Sequence, residues 1–363
     1  MIICADLKIG GAQAVAARIC KYAPDKYAFV YVVLTEEIGQ YEEDILSKGH
    51  RIIHIPAPAE GRYQYFSTLF NLMRREKADV VHCHNMFNCG IVMLTAKLAG
   101  VPCRVAHSHT IQEGCTMTPV RICYQWAMRL LIWVFGNVFM ACGVEAGHVL
   151  YGEGWFDRKG IVIPNGIDPY AYVYSQENRT AIRKMYGVDR RFVIGHVGHY
   201  VKVKNQAFLI DLMAVVRSKR PEAVLLLFGE GEDREKLARM IREKNAEEYI
   251  WLMGNVRNIG QVLSAFDVFV FPSLFEGTPI ALLEAQANGL PCVISDRIPK
   301  DACLTEDIHV IPLDDTAAWV ETVIKAQRFA PETKAEVLMS EYESVQASMN
   351  RIYTIYDKKV NGG

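Results

Sequence analysis

The sequence lacks the features that mark several large classes of protein. Its 363 residues carry a net charge of −1 at pH 7, so no excess of basic side chains indicates nucleic acid as the main partner. Its ten cysteines include no C-x-x-C pair, and no secretory signal opens the sequence. We therefore expect reduced thiols and a cytoplasmic location.

Long apolar runs are also missing. The longest, Leu130 to Gly143, contains Asn137 and is too short to span a bilayer, which takes about 20 apolar residues. We expect a buried helix end and then a core strand there. The sequence has no internal repeat and no low-complexity segment. It also has no G-x-G-x-x-G, which argues against a nicotinamide-dependent oxidoreductase.

Two series of short apolar runs, separated by amphipathic segments, are what the sequence does contain. Because the apolar residues of each run are consecutive, the runs are typical of parallel strands covered on both faces. The strands expected in the first series are "AFVYVVL", "RIIHI", "DVVHC", "CRVAH", "NVFMAC" and "IVI". Those expected in the second are "RFVIGHVG", "AVLLLFG", "YIWLMG", "DVFVFPS" and "PCVIS". The sequence therefore predicts an α/β fold with two parallel-sheet domains.

The segment "IPNGIDPYAYVYSQENRT" separates the two series. It is rich in Pro, Asn and Gly, which favours a linker, and we place the boundary near Pro164 to Tyr174. Ligands of open α/β sheets bind at the carboxyl ends of the strands. Two domains with facing strand ends would therefore form a cleft that holds the functional residues.

The stretch "FPSLFEGTPIALLEAQANGLPCVIS" places Glu276 and Glu284 on either side of a predicted helix start. Thr278 is a favoured N-cap, and Pro279 suits the first helical position. The first turn of the helix attracts an anion. A carboxylate repels phosphate but accepts hydrogen bonds from hydroxyls, so this arrangement suits a sugar nucleotide. Alternatively, Glu276 caps the helix and Glu284 is a solvated surface residue.

Two further motifs point the same way. In "GHVGHYVKVKNQ", Lys204 lies at a helix start after a Gly-rich strand end, where a cation suits a diphosphate. It would otherwise be an ordinary surface lysine. Gly10 and Gly11 precede a helical pattern and suit close approach of the backbone to a phosphate or sugar. A plain tight turn explains them equally well.

Together these motifs resemble the retaining glycosyltransferases of family 4, in particular the bacterial capsule and exopolysaccharide enzymes. The E-x7-E pair in "FEGTPIALLE" carries the resemblance together with "VKNQ", "IPNGID" and "GGAQ". It runs from about Asp6 to Tyr356. It implies the GT-B fold, in which two Rossmann-like parallel-sheet domains face each other across a cleft. The implied domains are residues 1–168, which bind the acceptor, and 169–343, which bind the sugar nucleotide. A C-terminal helix of about 344–358 packs back on the first domain.

The resemblance also implies an activity. It is the transfer of a sugar from a nucleotide donor, expected to be a UDP-sugar, with retention at the anomeric carbon and with no metal or other cofactor. The implied acceptor is a growing polysaccharide or a polyprenyl-diphosphate-linked glycan, with a contact to the inner face of the cell membrane left open. A non-catalytic relative that only binds sugar nucleotides is the alternative.

Particular residues receive roles from the same resemblance. Glu276 would contact hydroxyls of the donor sugar. His109 would be the cleft histidine near the reacting centre, with a buried, hydrogen-bonded histidine as the alternative. Glu284 would bind ribose hydroxyls, and Lys204 would be one half of a diphosphate clamp. The remaining implied donor-binding residues are Gly10, Gly11, His199, Gly277, Thr278, Pro279 and Ile280, of which Gly277 to Ile280 would offer backbone N–H groups to the diphosphate.

His199 departs from the family pattern. It occupies the place of the arginine in the family's G-R-x-x-x-x-K. A histidine is shorter than an arginine and only partly charged near neutral pH. It would clamp the diphosphate when protonated; otherwise another basic residue replaces it, or donor binding is weaker. This departure keeps the non-catalytic alternative open.

Two histidine pairs, "HCH" at 82–84 and "HSH" at 107–109, have a spacing that places both imidazoles on one face of an extended segment. Zinc would accept such ligands. Both pairs lie at the ends of predicted buried strands, and the family pattern accounts for them without a metal. We therefore expect no metal site here.

The segment "TPVRICYQWAMRLLIWVFG" is apolar and aromatic, with Arg121 and Arg129 as its charged residues. We expect a core helix from which the two arginines reach the solvent. A helix that lies on a membrane surface is the alternative.

Overall fold

The structure is a computed structural model, and it describes residues 1–8, 10–57, 61–109, 118–256, 258–276, 279–328, 336, 338 and 344–362. The chain divides into two compact units. Unit 1 comprises Met1–Gly166 and Val345–Gly363, and unit 2 comprises Ile167–Ser344. Each unit is built on one parallel sheet, with helices packed on both faces.

The sheet of unit 1 contains seven strands in the described residues, and every paired strand is parallel to its neighbour. The strands are β1 (Ile2–Cys4), β2 (Val30–Val33), β3 (Arg51–His54), β4 (Val80–Cys83), β5 (Cys103–Ser108), β6 (Val138–Ala141) and β7 (Ile161–Val162). Their order is β3-β2-β1-β4-β5-β6-β7. The order reverses between β1 and β4, which is where open α/β sheets bind ligands.

Seven helices of unit 1 lie between or beside these strands in the described residues. They are α1 (Gly11–Lys21), α2 (Glu42–Ser47), α3 (Arg62–Arg75), α4 (Cys89–Leu98), α5 (Pro119–Phe135), α6 (Val144–Tyr151) and α7 (Glu153–Lys159). They cover both faces of the sheet, and the apolar residues of the strands are buried beneath them. The consecutive apolar runs of the sequence reflect this burial on two sides.

Unit 2 repeats the architecture with six strands in the part of the chain that the structure describes. They are β8 (Phe192–Val197), β9 (Ala223–Phe228), β10 (Ile250–Gly254), β11 (Val268–Phe271), β12 (Cys292–Ser295) and β13 (Ile308–Ile311). The order is β10-β9-β8-β11-β12-β13, again parallel, with the reversal between β8 and β11. The sequence did not predict β13, an edge strand whose His309 and Val310 are exposed.

The helices of unit 2 in the described residues are α8 (Gln176–Met185), α9 (Gln206–Lys219), α10 (Arg234–Glu243), α11 (Ile259–Ala265), α12 (Ile280–Ala287) and α13 (Thr316–Lys325). The fold class predicted from the sequence, two Rossmann-like parallel-sheet domains, is confirmed.

The last helix, α14 (Val345–Asn361), belongs to unit 1. It buries the side chains that recur at helical spacing in the sequence: Val345, Met349, Ile352 and Tyr356. The Tyr353 hydroxyl donates to the Ile19 carbonyl at 2.6 Å and so ties α14 to α1. Both helices contribute to the same core layer on one face of the sheet.

Helix α5 differs from the core helix that we expected. Met128 and Ile132 are buried on one side, and Arg129 donates to the carbonyls of Val149 and Leu150. The other side exposes large apolar side chains: Val120, Trp126, Leu130 and Val134. The expectation of a core helix therefore holds for one side of α5 and is wrong for the other. Among the residues described, no helix has the length and apolar character needed to cross a membrane.

Candidate functional site

The loops that follow β8 and β11 lie side by side in unit 2, at the point where the strand order reverses. The Leu274 amide donates to the Val203 carbonyl at 2.8 Å. The Asn205 side-chain amide donates to the Pro272 carbonyl at 3.2 Å. Asn205 has a left-handed backbone with φ of 56°, a conformation that asparagine tolerates better than most residues. These bonds hold the two loops together.

Lys204 and Glu276 meet across these loops. The Lys204 ammonium lies 2.7 and 2.9 Å from the two carboxylate oxygens of Glu276. The Glu276 side chain is 8% exposed and that of Lys204 is 21% exposed. The Lys204 nitrogen also lies 5.3 Å from the centre of the Phe271 ring, in a cation–π contact. Lys204 is therefore not an ordinary solvated lysine, and the sequence prediction placed both members of the pair at one site.

His199 lies in the loop after β8 and is exposed. Its Nδ1 is hydrogen-bonded to the carbonyl of Glu230, in the loop after β9. A carbonyl only accepts hydrogen bonds, so Nδ1 carries a proton and Nε2 is the nitrogen left for a ligand. Gln206 donates to the His199 carbonyl at 2.8 Å. The sequence prediction did not assign roles to Glu230 or Gln206, although "FGEGED" and "KNQ" place both at strand or helix ends.

Close packing of glycines brings the loop after β9 near His199. Gly231 has φ of 159°, and a Cβ there would lie 2.4 Å from the Tyr200 carbonyl oxygen. Only glycine fits this approach without strain. The glycines of "FGEGED" therefore position the Glu230 carbonyl that receives His199.

Helix α12 begins at Ile280, one residue later than the sequence suggested. Pro279 is the cap residue, not the first helical residue, and its carbonyl accepts from the Leu282 amide at 2.9 Å. The amides of Ile280 and Ala281 come before the first hydrogen bond of the helix and therefore have no carbonyl partner within it. Gly277 and Thr278, both named in the sequence prediction, lie outside the described residues.

Glu284 lies in the second turn of α12 and is 8% exposed. The alternative of a solvated surface glutamate is therefore wrong. A buried carboxylate is costly unless it is hydrogen-bonded, so this burial favours a carboxylate that serves a ligand or the fold.

In unit 1, Gly10 and Gly11 lead from the loop after β1 into α1. Gly10 has an extended backbone, and its carbonyl accepts from the Ala14 amide at 2.8 Å. A Cβ added at Gly11 would meet no atom within 4 Å, so the backbone there is open to approach. Gln13 donates to Asp6 at 3.1 Å and fixes the start of the loop.

Four histidines form two layers beside the reversal point of unit 1. In the lower layer, His82 Nε2 lies 3.0 Å from His107 Nδ1, with the rings 14° from coplanar. In the upper layer, His84 Nδ1 lies 2.7 Å from His109 Nε2, with the rings 20° from coplanar. The upper layer lies over the lower one: the ring centres of His82 and His84 are 4.3 Å apart with planes 21° from parallel, and those of His107 and His109 are 4.1 Å apart with planes tilted by 35°. We call these four residues the histidine layers.

The histidine layers are electrically neutral at neutral pH. Burial lowers the pKa of His109 to about 3. Burial, followed by the neighbouring imidazoles, holds the pKa of His82, His84 and His107 well below the usual range. His84 Nε2, His107 Nε2 and His109 Nδ1 have no hydrogen-bond partner in the described structure.

Three of the layered histidines offer nitrogens within 4.8 Å of one another: His82, His84 and His107. Zinc requires ring nitrogens that converge on it at about 2.0–2.1 Å. Here the rings lie edge to edge or face to face, so their in-plane lone pairs do not converge. The arrangement fits a hydrogen-bonded stack of neutral imidazoles better than a metal centre.

The comparisons with known proteins agree along almost the whole chain. A family model described as Glycosyltransferase Family 4 matches residues 9–170, and one described as Glycosyl transferases group 1 matches residues 191–328. The protein named glycosyltransferase EpsF from Bacillus subtilis is 31% identical over 371 residues, which cover 96% of this chain and 94% of that protein. The chain belongs to glycosyltransferase family 4.

Other relatives of this glycosyltransferase carry more specific names. The UDP-Gal:alpha-D-GlcNAc-diphosphoundecaprenol alpha-1,3-galactosyltransferase of Escherichia coli is 30% identical over 71% of this chain and 68% of its own. The capsular polysaccharide biosynthesis glycosyltransferase CapH of Staphylococcus aureus is 22% identical over 90% of this chain and 89% of its own.

Solved structures show that the glycosyltransferase has the GT-B fold. The crystal structure of Anabaena HepE in complex with UDP and glucose superposes with a TM-score of 0.78 at 18% identity, over 98% of each chain. Sucrose-phosphate synthase of Thermosynechococcus elongatus superposes with a TM-score of 0.71 at 13% identity, over 100% of this chain and 99% of its own.

Proposed function

We propose that this glycosyltransferase moves a hexose from a UDP-sugar to a growing polysaccharide or a lipid-linked glycan, with retention at the anomeric carbon and without a metal ion. The observation that carries the proposal is the Lys204–Glu276 pair at the reversal point of unit 2. It places a cation beside a hydroxyl acceptor where α/β sheets bind ligands. A sugar nucleotide presents phosphates next to sugar hydroxyls and so needs both.

The diphosphate would bind between Lys204, His199 and the start of α12. An ammonium and free amides at a helix start both stabilise phosphate oxygens. These groups also offset the charge that develops on the leaving UDP, which is the task of a metal ion in other transferases. We therefore propose that catalysis needs no metal.

The two buried glutamates and one histidine would form hydrogen bonds with the hydroxyls of the donor. Glu276, next to the cation, would accept from the transferred sugar, and Glu284 would accept from the ribose. His109 would contact the transferred sugar, and the open backbone at Gly10 and Gly11 would approach the donor. The UDP in the HepE complexes and the UDP-Gal donor in the name of the E. coli relative support this type of donor.

Retention is supported by the same relative, whose name gives an α linkage in its product. The hexose of UDP-galactose is itself α-linked to the phosphate, so an α product keeps the configuration. That name also gives a diphosphoundecaprenol-linked acceptor, and CapH is named for capsular polysaccharide biosynthesis. These names support a lipid-linked or polysaccharide acceptor for this chain.

The exposed face of α5 would bring the enzyme to a membrane that carries such an acceptor. Three tryptophans lie in contact at this face. The ring centres of Trp126 and Trp133 are 6.3 Å apart, and the ring of Trp133 stacks on that of Trp155 with centres 4.8 Å apart. The Arg129 guanidinium lies 5.3 Å from the centre of the Trp126 ring, and the Lys159 ammonium lies 4.5 Å from the centre of the Trp155 ring. Apolar side chains, tryptophans and cations together suit the headgroup region of an anionic bilayer.

The activity is tested by incubating the full-length protein with undecaprenyl-diphosphate-linked GlcNAc and a panel of UDP-glucose, UDP-galactose, UDP-GlcNAc and GDP-mannose, with EDTA present. We expect UDP release and a product whose H1–H2 coupling shows an α linkage. Activity that EDTA abolishes and Mg²⁺ or Mn²⁺ restores would refute metal independence. A β product would refute retention, and binding of UDP-sugars without any turnover would favour the non-catalytic alternative.

The membrane contact is tested separately by sedimentation with vesicles that contain anionic lipid. Trp126→Asp and Leu130→Asp should each reduce the bound fraction. Met185→Asp, at another exposed apolar position but in unit 2, should leave it unchanged. Equal binding by all three variants would contradict a contact through α5.

A further inference from the structure

We infer that Tyr356 is a positioning residue that sets the tautomers of the histidine layers and thereby makes His109 Nδ1 a hydrogen-bond acceptor. The inference rests on the proposed role of His109 toward the transferred sugar. It concerns a residue that lies far from the other functional residues in the sequence, on helix α14.

The lower layer ends at the Tyr356 hydroxyl. This hydroxyl lies 2.5 Å from His82 Nδ1, and the two rings meet edge to face, with centres 5.9 Å apart. Both side chains are buried. Burial raises the pKa of Tyr356 well above its usual value, so the phenol keeps its proton. Among the described residues this hydroxyl meets no acceptor other than His82 Nδ1, so the phenol donates its O–H to that nitrogen.

That one hydrogen bond fixes the direction of the whole lower layer. A neutral imidazole carries one N–H and one lone pair. Because His82 Nδ1 accepts from Tyr356, His82 carries its proton on Nε2 and donates it to His107 Nδ1 at 3.0 Å. His107 in turn carries its proton on Nε2. The two imidazole dipoles of the lower layer then point the same way, from β4 toward β5.

Among the described residues, no hydroxyl is hydrogen-bonded to the upper layer, and we infer its direction from the layer beneath. Its rings lie over those of the lower layer. The centres of His82 and His84 are 4.3 Å apart with planes 21° from parallel, and those of His107 and His109 are 4.1 Å apart with planes tilted by 35°. Stacked dipoles are most stable when opposed, and this preference is strong in a buried site of low dielectric constant. The upper hydrogen bond should therefore run from β5 to β4, with His109 Nε2–H as the donor to His84 Nδ1.

The direction of the upper hydrogen bond determines whether His109 Nδ1 is a donor or an acceptor. Its Nδ1 is buried and has no partner in the described structure. With the proton on Nε2, Nδ1 presents a lone pair, which accepts a hydrogen bond from a hydroxyl of the donor sugar. With the opposite tautomer it would present an N–H. Tyr356 thus selects which of the two groups meets the sugar.

The test uses the full-length protein with ¹⁵N-labelled histidine. Long-range ¹H–¹⁵N spectra at neutral pH give the tautomer of each ring, and His→Gln variants assign the signals. We expect the Nε2–H form for His82, His107 and His109 in the unchanged protein. Tyr356→Phe should give mixed tautomers at all three. It should lower kcat about tenfold, the effect of losing roughly one hydrogen bond, with a smaller effect on the KM for the UDP-sugar.

Tyr353→Phe is the matched control. This tyrosine lies one turn away on α14, and its hydroxyl donates to the Ile19 carbonyl and not to a histidine. Its removal should lower Tm by a similar amount but leave tautomers and kcat unchanged. An Nδ1–H form of His109 in the unchanged protein would overturn the inference. So would unaltered tautomers in Tyr356→Phe, or equal kcat losses in both variants.

Failure of the proposed function would look different. It would appear as no transfer from any UDP-sugar, or as full activity of His109→Gln. The tautomer spectra remain readable in either case and still decide what Tyr356 does to the histidine layers.

Discussion

Lys204 donates to both carboxylate oxygens of Glu276, at 2.7 and 2.9 Å. The cation proposed for the diphosphate is thus held by the carboxylate proposed for the sugar. Partial burial strengthens this attraction relative to an exposed pair. A donor that carries both phosphates and hydroxyls can replace each half of the pair with a new partner. Free UDP offers a partner to the lysine alone.

Glu276→Ala should therefore separate donor turnover from nucleotide binding. The variant loses the acceptor for the transferred sugar, so we expect turnover to fall about 100-fold, or about 2.7 kcal/mol in the barrier. Lys204 becomes free for phosphate, so calorimetry should show UDP affinity that is unchanged or tighter. Glu232→Ala, an exposed site in the same unit, is the control. Normal turnover with lost UDP affinity would exchange the roles of Glu276 and Glu284.

Glu284→Ala should weaken the binding of free UDP. If the buried carboxylate accepts from ribose hydroxyls, its loss costs about 1.5–3 kcal/mol, the range for hydrogen bonds to charged groups. Calorimetry with UDP measures this, and circular dichroism checks that the variant is folded. Glu248→Ala, exposed in the same unit, should bind UDP normally. Unchanged UDP affinity in folded Glu284→Ala would rule out the ribose contact.

His199→Arg should tighten the binding of the donor. The histidine uses Nδ1 on the Glu230 carbonyl and has one nitrogen left for a phosphate, whereas an arginine is always charged and can bind two oxygens. We expect a gain of about 1 kcal/mol in UDP-sugar affinity and a loss in His199→Ala. If all three proteins bind UDP-sugar equally, His199 does not touch the phosphates and Lys204 must act with another group.

Acid should destabilise unit 1 through the histidine layers. Their folded pKa values lie below the ordinary value, about 3 for His109, so the unfolded chain binds more protons below about pH 6.5. The free energy of unfolding should then fall as the pH is lowered. Each layered histidine contributes up to about 1.4 kcal/mol per pH unit. The free energy of unfolding stops falling only when the pH is below the pKa of the folded state.

Urea unfolding between pH 7 and pH 5, followed by the signals of unit 1, measures this slope. His107→Gln should reduce the slope by about one proton, or about 1.4 kcal/mol per pH unit. His309→Gln, exposed on β13, should keep the slope of the unchanged protein. Equal slopes in all three proteins would show that His107 is protonated, or exposed to protons, in the folded state.

The sequence predicted those parts of the fold that depend on local patterns. Consecutive apolar runs such as "AVLLLFG" identify strands that are buried on both faces, and β9 follows that run closely. β13 was missed because an edge strand with exposed His309 and Val310 carries no such pattern. The burial of α5 was predicted wrongly on one side. Apolar residues on all sides of a helix predict a buried helix, but one face of α5 is exposed.

The candidate site was predictable where one loop carries the motif. The "VKNQ" and "FEGTP" segments located Lys204 and Glu276, but not the ion pair, because a contact between residues 72 apart depends on how the strands are ordered. Tyr356 recurs at helical spacing with Val345, Met349 and Ile352, which indicates one face of a helix but not the partner of its hydroxyl. Its bond to His82 spans 274 residues, and no local pattern indicates it.

The placement of α14 has a consequence for the order of synthesis. Unit 1 is completed by Val345–Gly363, which follow all of unit 2 in the chain. As the nascent protein leaves the ribosome, residues 1–166 emerge before unit 2 but lack α14, which together with α1 covers one face of their sheet. Unit 2 can fold before unit 1 is complete. Residues 1–166 are thus made before unit 2 but completed after it, and until then the apolar residues beneath α14 and the His82 imidazole are not covered by that helix.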